Sequence, residues 1–219
     1  MIGAGQAGLS TAYYLKRWGL APHRGFVVLD RSPKPGGAWQ YRWPSLTLST
    51  VNRIHDLPGM RLSEVVDPGM AEVRASDAVP RYYAAYEERF ELPVYRPVTV
   101  TTVCDRDGRL RVESDRGLFS ARGIINATGT WERPYIPDIP GRERFRGRQL
   151  HTKDYRTAEE FRGRHVVIVG GGISAIQLLD EISRVTTTTW VTRRPPQFRE
   201  GPFDDEAGRA AVAIVEDRV

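Results

Sequence analysis

Gly3, Gly5 and Gly8, in the run GAGQAG, have the spacing of a glycine turn between a strand and a helix. The chemistry that such a spacing serves is the binding of a pyrophosphate. The first glycine permits the tight turn, the second lets an anion approach the backbone, and the third lets the helix pack closely on the strand. The unpaired N–H groups at the helix N-terminus then face the negative charge. A second turn of this kind lies far down the chain, at Gly170, Gly172 and Ala175, in the GxGxxA form.

A lone glycine turn is a weak signal, so the elements around each turn decide its meaning. After the first turn, Leu9, Ala12, Tyr13 and Lys16 recur at helical spacing, and Gly19 stands where a helix would stop. The apolar run at 26–29 reads as a buried strand ending on Asp30, whose carboxylate suits a ribose hydroxyl. Asp30 stands farther from the turn than the usual spacing of roughly 20 residues, and the other reading of it is a simple strand-end residue. The second turn follows an apolar run at 165–169. Ala175, Leu178, Leu179 and Ile182 then mark a helix, and a strand at 187–192 runs into Arg193 and Arg194. No acid stands there. A guanidinium forks onto phosphate oxygens, so this pair suits the 2′-phosphate of NADP, unless both are solvated arginines of an arginine-rich chain.

The intervening chain supplies the other elements. Residues 32–44 are turn-rich. A helix is expected at 78–90, with Pro80 in its first turn. Strands at 98–103 and 110–113, joined by Asp107-Gly108, form a hairpin, and 118–119 adds a third short strand. A further strand at 123–128 enters a turn at Gly129, and 134–140 is a proline-rich linker. The expected fold is α/β, with two Rossmann-like units and a small antiparallel meander in the first. The expected domains are 1–140, for FAD, and 141–219, for NADP.

Composition narrows the function classes. The net charge is +5, and all the basic residues except Lys16, Lys34 and Lys153 are arginine. They are scattered among acids, with no basic stripe of interleaved aromatics to take nucleic acid. Cys104 is the single cysteine, which leaves no internal disulfide and no CxxC pair and suits the cytoplasm. His23, His55, His151 and His165 lack metal-ligand spacing, and there is no nucleophile elbow. No apolar run approaches the roughly 20 residues of a membrane span, and no signal peptide is expected.

Two dinucleotide turns separated by a meander point to electron transfer from a nicotinamide to a flavin, and the order resembles the two-dinucleotide-binding flavoproteins. Ala127-Thr128-Gly129, in NATGTW, is similar to the strand that closes their FAD half. FRGRQLHTKDY places Phe145, Gly147, His151 and Tyr155 in FxGxxxHxxxY, which resembles the identifying pattern of flavin-containing and N-hydroxylating monooxygenases. Baeyer–Villiger enzymes carry a tryptophan where Tyr155 stands. GGAWQYRWPSLTLS, with Gly36, Gly37 and Trp39, is similar to the GGxW turn of these enzymes, near the flavin.

The resemblance implies FAD on Gly3, Gly5, Gly8, Asp30, Gly37, Trp39, Thr128 and Gly129, and NADP on Gly170, Gly172, Ala175, Arg193 and Arg194. Trp39 would either contact FAD or be a packing residue under it, and His151 would either organise the interdomain linker or be a hydrogen-bonded structural histidine. The implied reaction inserts one atom of O2 into a small organic substrate through a C4a-hydroperoxyflavin, after NADPH reduces the FAD. One departure leaves the catalytic residue unassigned: where many relatives place an asparagine near the flavin, Ser49 stands here, with Asn52 three residues on. Two alternatives stay open, an NADPH-dependent flavin reductase or oxidase and a non-catalytic nucleotide-binding fragment. Against the resembled family the chain is expected to be short at both ends, with the first strand largely missing.

Overall fold

A computed structural model describes residues 1–67, 69 and 72–195. The chain divides into two compact units, Met1–Arg156 and Thr157–Val219.

In the first unit the glycine turn leads directly into α1, Gln6–Arg17. Gly8, Leu9 and Ala12 form its buried stripe, and Lys16 and Arg17 in the last turn complement the helix dipole. Gly19, at φ 88°, takes the left-handed conformation that ends the run. The strand β1, Val28–Leu29, is buried and pairs in parallel with β2, Val94–Tyr95, with Leu29 opposite Tyr95. Ile2 lies on the other side of β1 and bridges both Leu29 and Asn126 in parallel. Its N–H donates to the carbonyl of Ile125 at 3.0 Å, and its own carbonyl accepts from Ala127 at 2.8 Å. The strand expected at 123–128 is therefore a single bridge at Asn126, because Ile2 is the residue it pairs with there.

Helix α2 runs Ala75–Arg89. Its buried residues Ala75, Ala78, Val79, Tyr82, Tyr83 and Tyr86 repeat at three- and four-residue steps. It begins three residues before the expected start, so Pro80 falls past the first turn. A proline there removes one helical hydrogen bond. Its ring is packed against Gly36, where an added Cβ would come within 2.7 Å of Pro80 Cγ. The buried faces of α1 and α2 share a core with Leu57, Met60 and Leu92. The hydroxyl of Tyr82 accepts from Leu57 N–H at 2.7 Å and donates to the Met60 carbonyl, while Tyr86 donates to the Pro58 carbonyl at 2.7 Å. These bonds fasten the 55–60 loop onto α2.

The meander consists of β3, Val100–Arg106, β4, Arg109–Ser114, and β5, Gly117–Ala121, all antiparallel. Asp107 and Gly108 both take positive φ, 53° and 73°, as a two-residue hairpin turn requires. Val112 turns inward against Leu29 and Val98.

The second unit contains β6, Val166–Val169, then α3, Ile173–Ser183, then β7, Thr188–Val191. The strands pair in parallel, with Val169 opposite Val191, and the helix forms the crossover between them. The compact units divide between Arg156 and Thr157. Residues just before that point are held by the first unit. Tyr155 is buried, with its ring edge-on to Trp43 at 5.9 Å, and Lys153 Nζ reaches the Glu132 carbonyl at 3.5 Å. Among the described residues no helix is long and apolar enough to cross a membrane.

Candidate functional site

The three glycines of the first turn meet different surroundings. A Cβ on Gly3, which has φ 101°, would stand 2.3 Å from the Ala127 carbonyl oxygen, and a Cβ on Gly8 would stand 2.0 Å from the Gly3 carbonyl oxygen. Neither position admits a side chain. At Gly5 no atom lies within 4 Å of an added Cβ, so the turn is open there. Gly5 is also the N-cap of α1, with no side-chain cap and no acid in the first turn. The first intrahelical bond runs from Leu9 N–H to the Gly5 carbonyl, 2.9 Å, which leaves Gln6, Ala7 and Gly8 without helical acceptors for their N–H groups. The result is a short cradle of backbone donors with free space above it, fit for an anionic group such as a pyrophosphate.

Two more sequence motifs close around this cradle. Gly36 and Gly37 take φ 126° and 51°, and a Cβ on Gly37 would come 2.9 Å from Gly5 Cα. Thr128 donates to Asn126 Oδ1 from its N–H, 3.2 Å, and from its hydroxyl, 2.9 Å. Gly129, at φ 64°, turns the chain away, with open space around it.

Trp39 lies on the 3-10 turn Gly37–Tyr41. It packs on the core cluster that contains buried Tyr83, whose pKa burial pushes up. The Arg42 guanidinium stands over both Trp39, 5.5 Å, and Trp131, 4.7 Å, and so links the GGAW turn to the NATGTW loop. Burial pushes the Arg42 guanidinium down. A second link is the ion pair of Arg31 with Glu132, whose carboxyl this bond pulls below its ordinary range.

Asp30 is 7% exposed. Its Oδ1 accepts from Ser32 N–H at 3.2 Å, and its Oδ2 lies 3.3 Å from Arg96 Nη2. Arg96 forks onto Glu87 of α2, at 2.5 Å from Nη1 and 2.8 Å from Nη2. Burial raises the Glu87 carboxyl, against the bond from Arg96. Sequence reasoning finds Asp30 but misses Arg96 and Glu87. The one available signal is Glu87, an acid immediately after the buried Tyr86 on a helix.

Of the FxGxxxHxxxY residues, Tyr155 packs on the distant Trp43, whereas Phe145, Gly147 and His151 make local contacts. Phe145 is mostly exposed, and a Cβ on Gly147 would strike its ring. His151 Nδ1 accepts from Lys153 N–H at 3.2 Å and caps a short 3-10 turn. Ser49, at the expected asparagine position, bonds Thr47 Oγ1 at 2.8 Å and Glu72 Oε1 at 3.3 Å, and Asn52 is exposed.

In the second unit Gly170 takes φ 129°, and an added Cβ would be 3.9 Å from the methyl of Ala175, an ordinary contact. This looser packing is why alanine suits the third position here, whereas Gly8 could carry no methyl. Trp190 Nε1 donates to the Gly170 carbonyl at 2.7 Å. Gly172 caps α3, is open around its Cα, and has no acid in the turn that follows. Arg193 and Arg194 are exposed and follow β7 at the same edge as Gly170, since Val191 pairs with Val169.

Residues 1–204 match the family model for pyridine nucleotide-disulphide oxidoreductases. The uncharacterized oxidoreductase CzcO of Bacillus velezensis is 30% identical over 198 residues, covering 90% of this chain and 55% of that protein. Indole-3-pyruvate monooxygenase YUCCA1 of Oryza sativa subsp. japonica is also 30% identical, covering 84% of this chain and 44% of that one. The solved flavin-containing monooxygenase of Stenotrophomonas maltophilia is 37% identical, with a TM-score of 0.83, covering 99% of this chain and 66% of its own. The chain spans about half the length of the curated relatives it matches.

Proposed function

This chain belongs to the pyridine nucleotide-disulphide oxidoreductase family, and on that premise we propose that it forms the FAD- and NADP-binding part of a flavin-dependent monooxygenase. The observation that carries the reading is the cradle at Gly5, open between two glycines that admit no side chain and flanked by Gly37. FAD would lay its pyrophosphate over Gly5 and the N–H groups of Gln6, Ala7 and Gly8. Asp30 would accept from the ribose, while Trp39, Thr128 and Gly129 would stand nearer the flavin. NADP would take the Gly170–Gly172 turn, with Ala175 behind it and its 2′-phosphate on Arg193 and Arg194.

Bound FAD and NADPH supply electron transfer and oxygen activation; the protein supplies position and the exclusion of water. Monooxygenation of a small organic substrate is favoured by the names of the relatives from Stenotrophomonas maltophilia and rice. A cytoplasmic setting belongs to the same proposal.

A second reading, an NADPH-dependent reductase or oxidase, is favoured by Ser49, which replaces the expected asparagine and has its hydroxyl engaged with Thr47 and Glu72. One experiment separates the two. NADPH-driven oxygen consumption is measured with peroxide release in parallel, across a panel of small amines, sulfides and ketones. Oxygen uptake coupled to product, with little peroxide, supports monooxygenation. Uptake matched by peroxide for every compound supports the oxidase, and a colourless protein that NADPH leaves unchanged defeats both.

A further inference from the structure

The Asp30–Arg96–Glu87 group is built from three separate elements. Asp30 follows β1, Arg96 follows β2, and Glu87 projects from the last turns of α2. The side chains of all three are nearly buried, at 9%, 12% and 12% exposure. Arg96 is the cation shared by two carboxylates. Its two-bond fork to Glu87 fixes the plane of the guanidinium, and its Nε is buried with no hydrogen-bond partner among the described residues. It is therefore aimed by helix α2 and spends one Nη2 proton on Asp30.

The contacts to Asp30 are long, 3.3 Å from Arg96 and 3.2 Å from Ser32, and each engages a different oxygen. A carboxylate offers about four acceptor sites, so both oxygens keep capacity for another donor. Without Arg96, two carboxylates would face a poorly solvated space with no cation between them, and Asp30 would lose the contact that fixes its Oδ2. A rotated Asp30 would lose its worth as an acceptor.

We propose that Arg96, aimed by Glu87, is a positioning residue for the flavin nucleotide, holding the Asp30 carboxylate oriented to accept from the adenosine ribose of FAD. The proposal rests on the reading of the first turn as the FAD site. It gives the buried ion group a function beyond holding α2 to the sheet.

The test compares two flavins on the 219-residue chain, stripped of any bound nucleotide: FAD, and the FAD analogue lacking the 2′-hydroxyl of the adenosine ribose. Binding is followed by flavin fluorescence, and folding by circular dichroism. The unsubstituted protein should prefer FAD by roughly tenfold or more, the value of one hydrogen bond to a charged acceptor. Asp30→Ala should abolish that preference. Arg96→Met should abolish it as well, leaving the two flavins bound equally, and Glu87→Gln should reduce it. If Arg96→Met weakens both flavins by the same factor and keeps the preference, Arg96 is structural only and the proposal is overturned. If Arg96→Met does not fold, Glu87→Gln decides, and an undiminished preference overturns the proposal. Retention of the preference by Asp30→Ala would instead defeat the assignment of Asp30, a separately recognisable failure.

Discussion

Gly37 stands directly against Gly5: a Cβ added to Gly37 would lie 2.9 Å from Gly5 Cα, while a Cβ added to Gly5 itself would meet nothing within 4 Å. The GGAW turn thus seals one side of the first glycine turn and leaves the other free. The two directions of substitution should differ. Gly5→Val is expected to fold, since Gly5 has φ −79°, a conformation open to any residue, and to block FAD without changing NADP affinity. Gly8→Ala should instead destabilise the unit by about 1–3 kcal/mol or more, because its methyl would be driven into the Gly3 carbonyl. Thermal melting together with flavin absorbance checks both. A Gly5→Val protein that keeps its flavin would remove the first site.

Arg193 and Arg194 leave β7 at the edge where Gly170 begins its turn. Replacing both with alanine should raise the Michaelis constant for NADPH by roughly tenfold or more, the loss of at least one charge-assisted bond, and leave NADH little changed. An unaltered NADPH-to-NADH ratio in steady-state kinetics would contradict the assignment.

Trp39 packs on the core that contains Tyr83 of α2 and so ties the GGAW turn to that helix. Trp39→Ala removes this partly buried ring and should destabilise the unit by about 3 kcal/mol. Trp39→Phe keeps a ring in the same place and should cost less. Urea denaturation of both variants measures this, and a Trp39→Ala protein as stable as the unsubstituted one would show that the contact contributes nothing.

Glu132 is pulled below its ordinary range chiefly by its bond to Arg31, so the sign of its pH effect is fixed. A carboxyl lowered in the folded state adds stability above its unfolded value, near 4.3, and that stability is lost as pH falls through the folded value. Glu132→Gln should therefore show a shallower loss of stability in acid than the unsubstituted protein. The pair is about half exposed, so the difference should stay within about 1 kcal/mol. Acid denaturation curves for the two proteins, if superimposable, would show the pair to be neutral.

Much of this protein was legible in its sequence, because those features depend on short-range geometry. Asp107-Gly108 sets a hairpin turn by the φ values it tolerates, and β3 and β4 meet there. Gly3, Gly5 and Gly8 mark a turn through spacing alone, and the apolar steps of α1 and α3 show which faces turn inward. The remaining features depend on pairings between distant segments. Arg96 lies beside Asp30 because β1 and β2 pair in parallel with Leu29 opposite Tyr95, and a one-residue slip would turn it to the other face. Glu87 joins them because α2 packs in a particular rotation, begun at Ala75 rather than where the apolar pattern suggested. Arg42 lies between Trp39 and Trp131 because the NATGTW loop follows the Asn126 bridge to Ile2. Backbone sterics act within a few residues and can be read from their types, whereas the partners of buried charges are set by register and helix rotation, which exist only once the chain has packed.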